Sequence, residues 1–126
     1  MPTFRAQIKP HVDIELEASV RADLRGDGQG SFRHLERAHV LGQTSTVEHV
    51  RVHWRMFLWG WRRRDVRECL GQVLRILGAG TMTAVGWVPP GNTGGSDVSP
   101  FRRLPIDPEL AAEIARARRL ANHIAD

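Results

Sequence analysis

The sequence predicts an all-α protein of four to five helices, arranged as stacked antiparallel hairpins in a single domain over residues 1–126. Apolar residues recur at helical spacing in several segments, capping residues precede most of them, and short turns containing glycine or serine separate them. A chain of 126 residues, of which 41% are hydrophobic, can also bury one modest core. A strand is an alternative only for Val12 to Ala18, where apolar residues alternate.

The first predicted helix covers His11 to Arg25, with Pro10 in its first turn, where a helix tolerates proline. Residues 1–9 then form a short leader, and Gly26-Asp27-Gly28 ends the helix. Ser31 is the expected N-cap of the second helix, which continues to the next glycine-containing turn.

Two further helices follow that turn. Ser45 or Thr46 caps the third helix, and Glu48 stands three residues after Ser45, as in a capping box. Asp65 caps the fourth helix, and Gly78-Ala79-Gly80 ends it. The expected core faces are the apolar residues of each helix: Val47, Val50, Trp54, Phe57, Leu58 and Trp61 in the third, and Val66, Cys69, Leu70, Val73, Leu74 and Leu77 in the fourth.

The region over 81–105 is rich in glycine and proline, and it predicts an irregular arm or a lid. Asp107 and Pro108 then begin a C-terminal helix over 107–124. Leu41 and Leu77 each precede a glycine at the end of a helix, and they lie 36 residues apart. The helix pairs therefore bear a local resemblance to the tetratricopeptide helix–turn–helix, whose period is about 34 residues.

Four polar side chains of the second and third helices are candidate metal ligands. Glu36 and His39 share one helix face, and His49 and His53 share another. The intervening turn folds the two helices antiparallel, which brings these faces together. Imidazole and carboxylate donors between two helices suit a divalent transition metal such as zinc, iron, copper or nickel.

Two interpretations of this group stay open. In the first, the four residues hold a metal; in the second, the histidines form a polar seam, each hydrogen-bonded to a carboxylate or the backbone. Arg33 lies one turn before Glu36 and can pair with it instead. Glu48 is a substitute for Glu36 as ligand, or a partner that orients a histidine. Met56 is expected in the core in preference to a role as a copper ligand.

The glycine loop, Gly91 to Gly95, is a candidate cofactor-binding segment. It offers backbone N–H groups and small side chains that can bind an anion or close over the helical site as a lid, and the residues concerned are Asn92, Thr93, Gly94 and Gly95. It lacks the lysine and the following helix of a nucleotide-binding P-loop. A tight turn is the simpler alternative.

Composition narrows the set of partners. The net charge is +4, but the 17 arginines and the one lysine, Lys9, are interleaved with 14 acidic residues, so a nucleic-acid partner is not expected. One cysteine and no apolar stretch of membrane-spanning length predict a cytoplasmic protein without a membrane partner. Four tryptophans are too many for so small a core, which predicts a homodimer.

Three stretches, SFRHLERAHVLGQ, EHVRVHW and PPGNTGGSDVSPFRRLPIDPEL, resemble a family of small bacterial proteins known only as a domain of unknown function. The resemblance covers Phe4 to Ile114. It implies that its three signatures, Glu36 to His39, His49 with His53, and Gly91 to Gly95, act together, but it implies no activity. We therefore predict a small metal-binding protein, for metal handling or metal-dependent catalysis. The alternative is a metal-free, tetratricopeptide-like module that binds a protein partner.

Overall fold

The computed structural model describes residues 3–82, 85–86, 89–99 and 102–123, and it confirms the all-α prediction: these residues form helices, turns and irregular segments, with no strand among them. The five helices are α1 (Phe4–Leu24), α2 (Gly28–Gly42), α3 (Thr46–Arg62), α4 (Val66–Met82) and α5 (Pro108–Asn122). α1 pairs with α2 and α3 pairs with α4 as consecutive hairpins. α2 joins the two hairpins through its contact with α3, and α5 packs on α1 and α2.

α1 begins at Phe4, not near Pro10, so the predicted leader over residues 1–9 and the strand alternative are both wrong. The Thr3 hydroxyl caps the helix by accepting a hydrogen bond from the N–H of Ala6. Pro10 lies inside the helix on its exposed side, where the missing hydrogen bond borders solvent. The helix continues through Pro10 because its buried residues recur every three or four positions on both sides of the proline: Ile8, Val12, Leu16, Ser19 and Ala22.

α2 begins at Gly28, three residues before the predicted cap. Asp27 caps it, with its carboxylate accepting the N–H of Gly30 at 2.9 Å. Ser31 lies fully buried inside the helix, where its hydroxyl hydrogen-bonds that of Ser19 in α1 at 2.9 Å. The prediction failed because a serine suits both roles, and only the packing of α1 against α2 selects the second.

Three predicted helix starts are confirmed. The side chains of Ser45, Asp65 and Asp107 each accept a backbone N–H from the first turn of α3, α4 and α5. The predicted stop at Gly78-Ala79-Gly80 is wrong, since α4 continues to Met82. α5 ends at Asn122, and residue 124 of the predicted helix lies outside the described part of the chain.

The apolar core lies between α1, α2, α5 and the near face of α3. Its buried members are Ile8, Val12, Leu16, Leu35, Ala38, Val40, Leu41, Val52, Met56, Leu110, Ile114 and Ala117. Met56 is completely buried in this cluster, which supports its assignment as a core residue.

The predicted core faces of α3 and α4 are wrong. α3 buries Glu48, His49, Val52, His53, Met56 and Gly60, while Val47, Trp54 and Trp61 on its opposite side are exposed. α4 buries the polar Glu68 and Gln72, while its aliphatic residues face solvent: Val66, Leu70, Val73, Leu74 and Leu77. The inner face of α4 is therefore polar, the inner face of α3 mixes polar residues with Val52 and Met56, and large apolar residues of both helices face outward in the single chain. Trp87 lies outside the described residues.

The segment over 89–99 is irregular, as predicted, and it lies against α2 and α4. Within the described ranges, no helix is both long and apolar enough to span a lipid bilayer.

Candidate metal centre

Three histidines from two helices converge on one buried point. His39 comes from α2, and His49 and His53 come from successive turns of α3. The Nε2 atom of His39 lies 2.9 Å from that of His49 and 3.2 Å from that of His53. The rings are 3%, 8% and 2% exposed, and their candidate ligand atoms all lie within 4.8 Å of one another. This three-histidine cluster could hold a metal ion.

A backbone carbonyl fixes the orientation of His39. Its Nδ1 atom lies 2.6 Å from the carbonyl oxygen of Asn92. Because a carbonyl oxygen only accepts hydrogen bonds, Nδ1 carries the proton and donates it. Nε2 of this neutral ring is therefore unprotonated, and its lone pair points at the other two histidines.

A glutamine of α4 orients His53 in the same way. The Nδ1 atom of His53 lies 2.6 Å from Oε1 of Gln72. The amide nitrogen of Gln72 donates to the carboxylate of Glu68 at 2.6 Å and to the carbonyl of Gly94 at 2.9 Å. These two acceptors settle which end of the amide is nitrogen, so Oε1 must accept the Nδ1 proton of the ring. The lone pair of His53 Nε2 then also points into the cluster.

Burial keeps all three rings neutral. Desolvation lowers the pKa of His39 well below its ordinary value, and the neighbouring histidines lower it further. Desolvation also lowers the pKa of His49 to about 4 and that of His53 to about 3. Neutral imidazole is the form that binds metals, so no proton has to leave these rings before coordination at neutral pH.

Glu36, the predicted fourth ligand, is not one of the three clustered residues. It lies half-buried on α2, one turn before His39. Burial raises the pKa of its carboxyl, and the nearby carboxylates of Asp97 and Glu68 raise it further. Arg33, the predicted competitor for this carboxylate, is exposed, and its charge is the smallest of these influences on the pKa.

Glu48 is buried, but its carboxylate is engaged by arginines and not by the histidine cluster. Its carboxylate pairs with Arg5 at 3.1 Å and with Arg51 at 2.9 Å. The Arg5 pair links the start of α3 to α1, the Arg51 pair lies within α3, and together they engage both carboxylate oxygens.

The glycine loop packs directly on the cluster. Asn92 donates from its side chain to the carbonyls of Ser99 and Arg102, both at 2.8 Å, and this holds its own carbonyl toward His39. Gly94 has φ +83°, and a Cβ there would lie only 2.5 Å from Cδ2 of the His39 ring. Glycine is therefore required at this position both for its backbone conformation and for the close approach.

The other two residues of the predicted loop site lie farther along it. Gly95 faces Phe32 and the carboxylate of Asp97, where a Cβ would clash with the latter at 2.6 Å. Thr93 is half-buried, and its hydroxyl lowers the pKa of the Glu36 carboxyl from nearby without a hydrogen bond of good geometry. The structure thus brings Asn92 and Gly94 to the histidines, and Thr93 to the glutamate.

α4 supplies residues that sequence reasoning missed. Glu68 and Gln72 are 6% and 0% exposed, and Glu68 also receives the backbone N–H and the hydroxyl of Ser96. Arg75 donates to the carbonyls of Gly94 and Val98 and so holds the loop against α4. The available signal was the placement of these polar residues at i, i+4 and i+7 on one side of an otherwise apolar helix.

Fold and site together define a helical protein with a buried three-histidine cluster, in which residues outside the cluster orient two of the rings by hydrogen bonds. The chain belongs to the DUF3703 family, described as proteins of unknown function, whose sequence model matches residues 6–114. No curated protein and no solved structure matches the chain. The predicted family resemblance is confirmed.

Proposed function

We propose that the protein binds one divalent transition-metal ion through the Nε2 atoms of His39, His49 and His53. One observation carries the proposal: the unprotonated Nε2 atoms of His39 and His53 face each other at 3.2 Å. Both Nδ1 protons are committed to acceptors outside the cluster. A proton on His49 can serve one neighbouring lone pair, whereas a cation at the centre can satisfy all three nitrogens at once.

The spacing of the nitrogens supports an ion with tetrahedral or similar coordination. Imidazole nitrogens that share an ion at about 2.0–2.1 Å in tetrahedral geometry lie about 3.3 Å apart. The separations from His39 are 3.2 and 2.9 Å, close to this value, and all three candidate ligand atoms lie within 4.8 Å of one another. Three imidazoles suit zinc, nickel, copper and iron, and the cellular supply of each metal contributes to the choice among them.

The surrounding hydrogen bonds support the same role. Metal-binding histidines in proteins typically donate their second ring nitrogen to a carbonyl or a carboxylate. His39 donates to the Asn92 carbonyl, and His53 donates to Gln72, which is itself held by Glu68. In this proposal the glycine loop and α4 are the supporting shell of the centre.

The proposal assigns the fourth coordination position to Glu36. With Glu36 bound, the shell is closed and the protein serves metal handling. With Glu36 displaced, the position opens to water or a substrate, as in catalytic zinc sites, and the ion can lower the pKa of bound water. Thr93 and Asp97 border this carboxylate and would influence that exchange.

Elemental analysis of protein purified without a tag or chelator tests the metal proposal. We expect about one equivalent of metal per chain, lost in the His49→Ala, His53→Ala double variant. His123→Ala is the matched control, because His123 is an exposed histidine at the C-terminal end of α5. Absence of metal from the wild type, together with no uptake on titration with zinc, nickel, copper or iron, would make the cluster a polar seam.

A second candidate function is a metal-free interaction module that binds a protein partner. The exposed apolar residues of α3 and α4 favour it, since so many large side chains seldom face solvent on one hairpin. The triple variant His39→Ala, His49→Ala, His53→Ala separates the two functions. A metal protein loses its ion and several degrees of melting temperature, because ligand binding stabilises the folded state by mass action. An interaction module keeps its helicity and its partner.

A further inference from the structure

The outer side of α3 carries an apolar strip with coiled-coil spacing. Its members follow one another at intervals of three and four residues: Val47, Val50, Trp54, Phe57 and Trp61. The rings form a continuous surface, with centroids 5.4 Å apart for Trp54 and Phe57 and 6.0 Å apart for Phe57 and Trp61. Trp54 is 51% exposed and Trp61 is 69% exposed.

The outer side of α4 carries a matching strip. Val66, Leu70, Val73 and Leu77 follow at intervals of four, three and four residues, and Leu74 widens the strip. Each of the five is an exposed large hydrophobic residue, with Leu74 at 72%. α4 cannot rotate to bury them, because Gln72 and Glu68 on its other side are held by His53 and the 89–99 segment.

Most of the large side chains in these strips are exposed in the single chain: Val47, Trp54 and Trp61 of α3 and all five members on α4 are between 44% and 72% exposed. Among the five helices, α4 contacts α3 alone. With ordinary side-chain areas, the exposed fractions of the two strips amount to on the order of 900 Å² of apolar surface, close to the roughly 800 Å² that each partner buries in a stable interface. One hairpin therefore presents enough surface for a complete interface.

We propose that the two strips pack against the same strips of a second copy of this chain, so that two α3–α4 hairpins form a four-helix interface about a two-fold axis. Heptad-like seams on adjacent antiparallel helices are half of such a bundle, and a two-fold interface is self-complementary. This assignment also explains why residues with a core pattern face outward: their core is intermolecular. It does not depend on the metal proposal.

Three of the arginines beside the strips pair with carboxylates of the same chain, which favours a protein partner over an anionic membrane. Arg62 and Arg63 both pair with Asp23, at 3.0 and 2.7 Å, and Arg51 pairs with Asp13 at 2.6 Å. These neighbouring arginines are thus neutralised within the chain, whereas membrane-surface helices present free basic residues to lipid phosphates.

Sedimentation equilibrium of the full chain, over a wide range of protein concentration and with and without chelator, tests this inference. In both conditions we expect a mass of twice 14.2 kDa at high protein concentration, which falls toward 14.2 kDa on dilution. The variant Leu70→Glu, Leu74→Glu should sediment as a monomer of unchanged helicity by circular dichroism. Leu24→Glu, at an 83% exposed leucine of α1 outside the strips, is the control and should remain a dimer.

A second measurement covers the case in which the double variant unfolds. The wild type itself should dissociate on dilution. Tryptophan fluorescence should then shift to the red and be quenched more strongly by acrylamide, because Trp54 and Trp61 become exposed to solvent. A wild type that is monomeric at every concentration overturns the inference. If that monomer binds vesicles of anionic phospholipid and the Leu70→Glu, Leu74→Glu variant does not, the surface serves a membrane; without vesicle binding, it serves neither a second copy nor a membrane.

Discussion

The Nε2 atoms of His39 and His53 lie 3.2 Å apart, and the opposite nitrogen of each ring donates to an oxygen outside the cluster. Two lone pairs held face to face without a proton between them repel each other. Two contacts maintain this arrangement: the Asn92 carbonyl of the 89–99 segment holds His39, and Gln72 of α4 holds His53. The proposed ion converts this repulsion into coordination.

The substitution Gln72→Ala should weaken metal binding while leaving the three histidines in place. Loss of an outer partner of a metal-bound histidine typically costs about 10- to 100-fold in affinity, because the ring is no longer oriented. Competition with a chromophoric chelator measures this change. Gln29→Ala, at an exposed glutamine of α2, is the control and should bind as the wild type does. Equal affinity for the Gln72 variant would show that Gln72 supports the fold and not the centre.

The substitution Gly94→Ala should damage the centre through the loop. The new Cβ meets the His39 ring at 2.5 Å, so the loop must move away from the ring. We expect lower metal affinity. We also expect a loss of stability, measured by thermal melting, greater than the about 1–2 kcal/mol that a side chain at a positive φ costs. Gly26→Ala is a matched control, with φ +77° and nothing within 4 Å of the added Cβ. If both variants lose equal stability and keep full metal affinity, the loop does not press on the centre.

The metal-free protein should lose stability on mild acidification. The pKa values of His49 and His53 fall from 6.5 to about 4 and about 3 on folding, so the unfolded chain binds more protons in this range. Their contribution to the free energy of unfolding is fully present above about pH 6.5. It declines toward pH 4 by about 1.4 kcal/mol per pH unit for each histidine.

Urea denaturation in chelator at a series of pH values measures that decline. The His49→Gln, His53→Gln variant should show a shallower dependence between pH 6.5 and 4, since it no longer carries the two titrating rings. The partly buried carboxylates of Asp13 and Asp23 have lowered pKa values and titrate below this window. Glu36, whose raised pKa has the opposite effect on stability, is present in both wild type and variant and cancels in the comparison. Equal slopes for wild type and variant would mean that the rings do not remain neutral on folding.

The substitution Glu36→Gln tests the fourth coordination position. If the carboxylate binds the ion, we expect about a tenfold weaker affinity and a changed visible spectrum of the cobalt-substituted protein, because a ligand oxygen has been lost. Glu17→Gln, at an exposed residue of α1, is the control. A spectrum identical to that of the wild type would remove Glu36 from the ligand set and leave the fourth position to water.

Several features could be predicted from sequence because their causes are local. Ser45, Asp65 and Asp107 are predicted caps of helices that begin at the next residue, and each accepts a backbone N–H from the first turn. The i, i+4 spacing of His49 and His53 places both on one face by helix geometry alone. The short turn after α2 then brings His39 to the same point, so three of the four predicted ligands meet.

Other features depend on contacts between distant parts of the chain. His39 meets Asn92 at a separation of 53 residues, and Gln72 meets His53 at a separation of 19. The start of α1 was missed because burial of Ile8 outweighs the lost hydrogen bond at Pro10.

The sequence by itself determined the helical class, three helix starts and the pairing of histidines within α3, because capping and helical periodicity act over a few residues. Tertiary structure decided which side of α3 and α4 faces inward. Each helix has an apolar side and a polar side, and periodicity alone assigns the apolar side to the core. The hydrogen bonds among Gln72, Glu68, Gly94 and the histidines instead hold the histidine-bearing side of α3 and the polar side of α4 inward, because buried polar groups need partners and these groups find theirs in each other and in the loop.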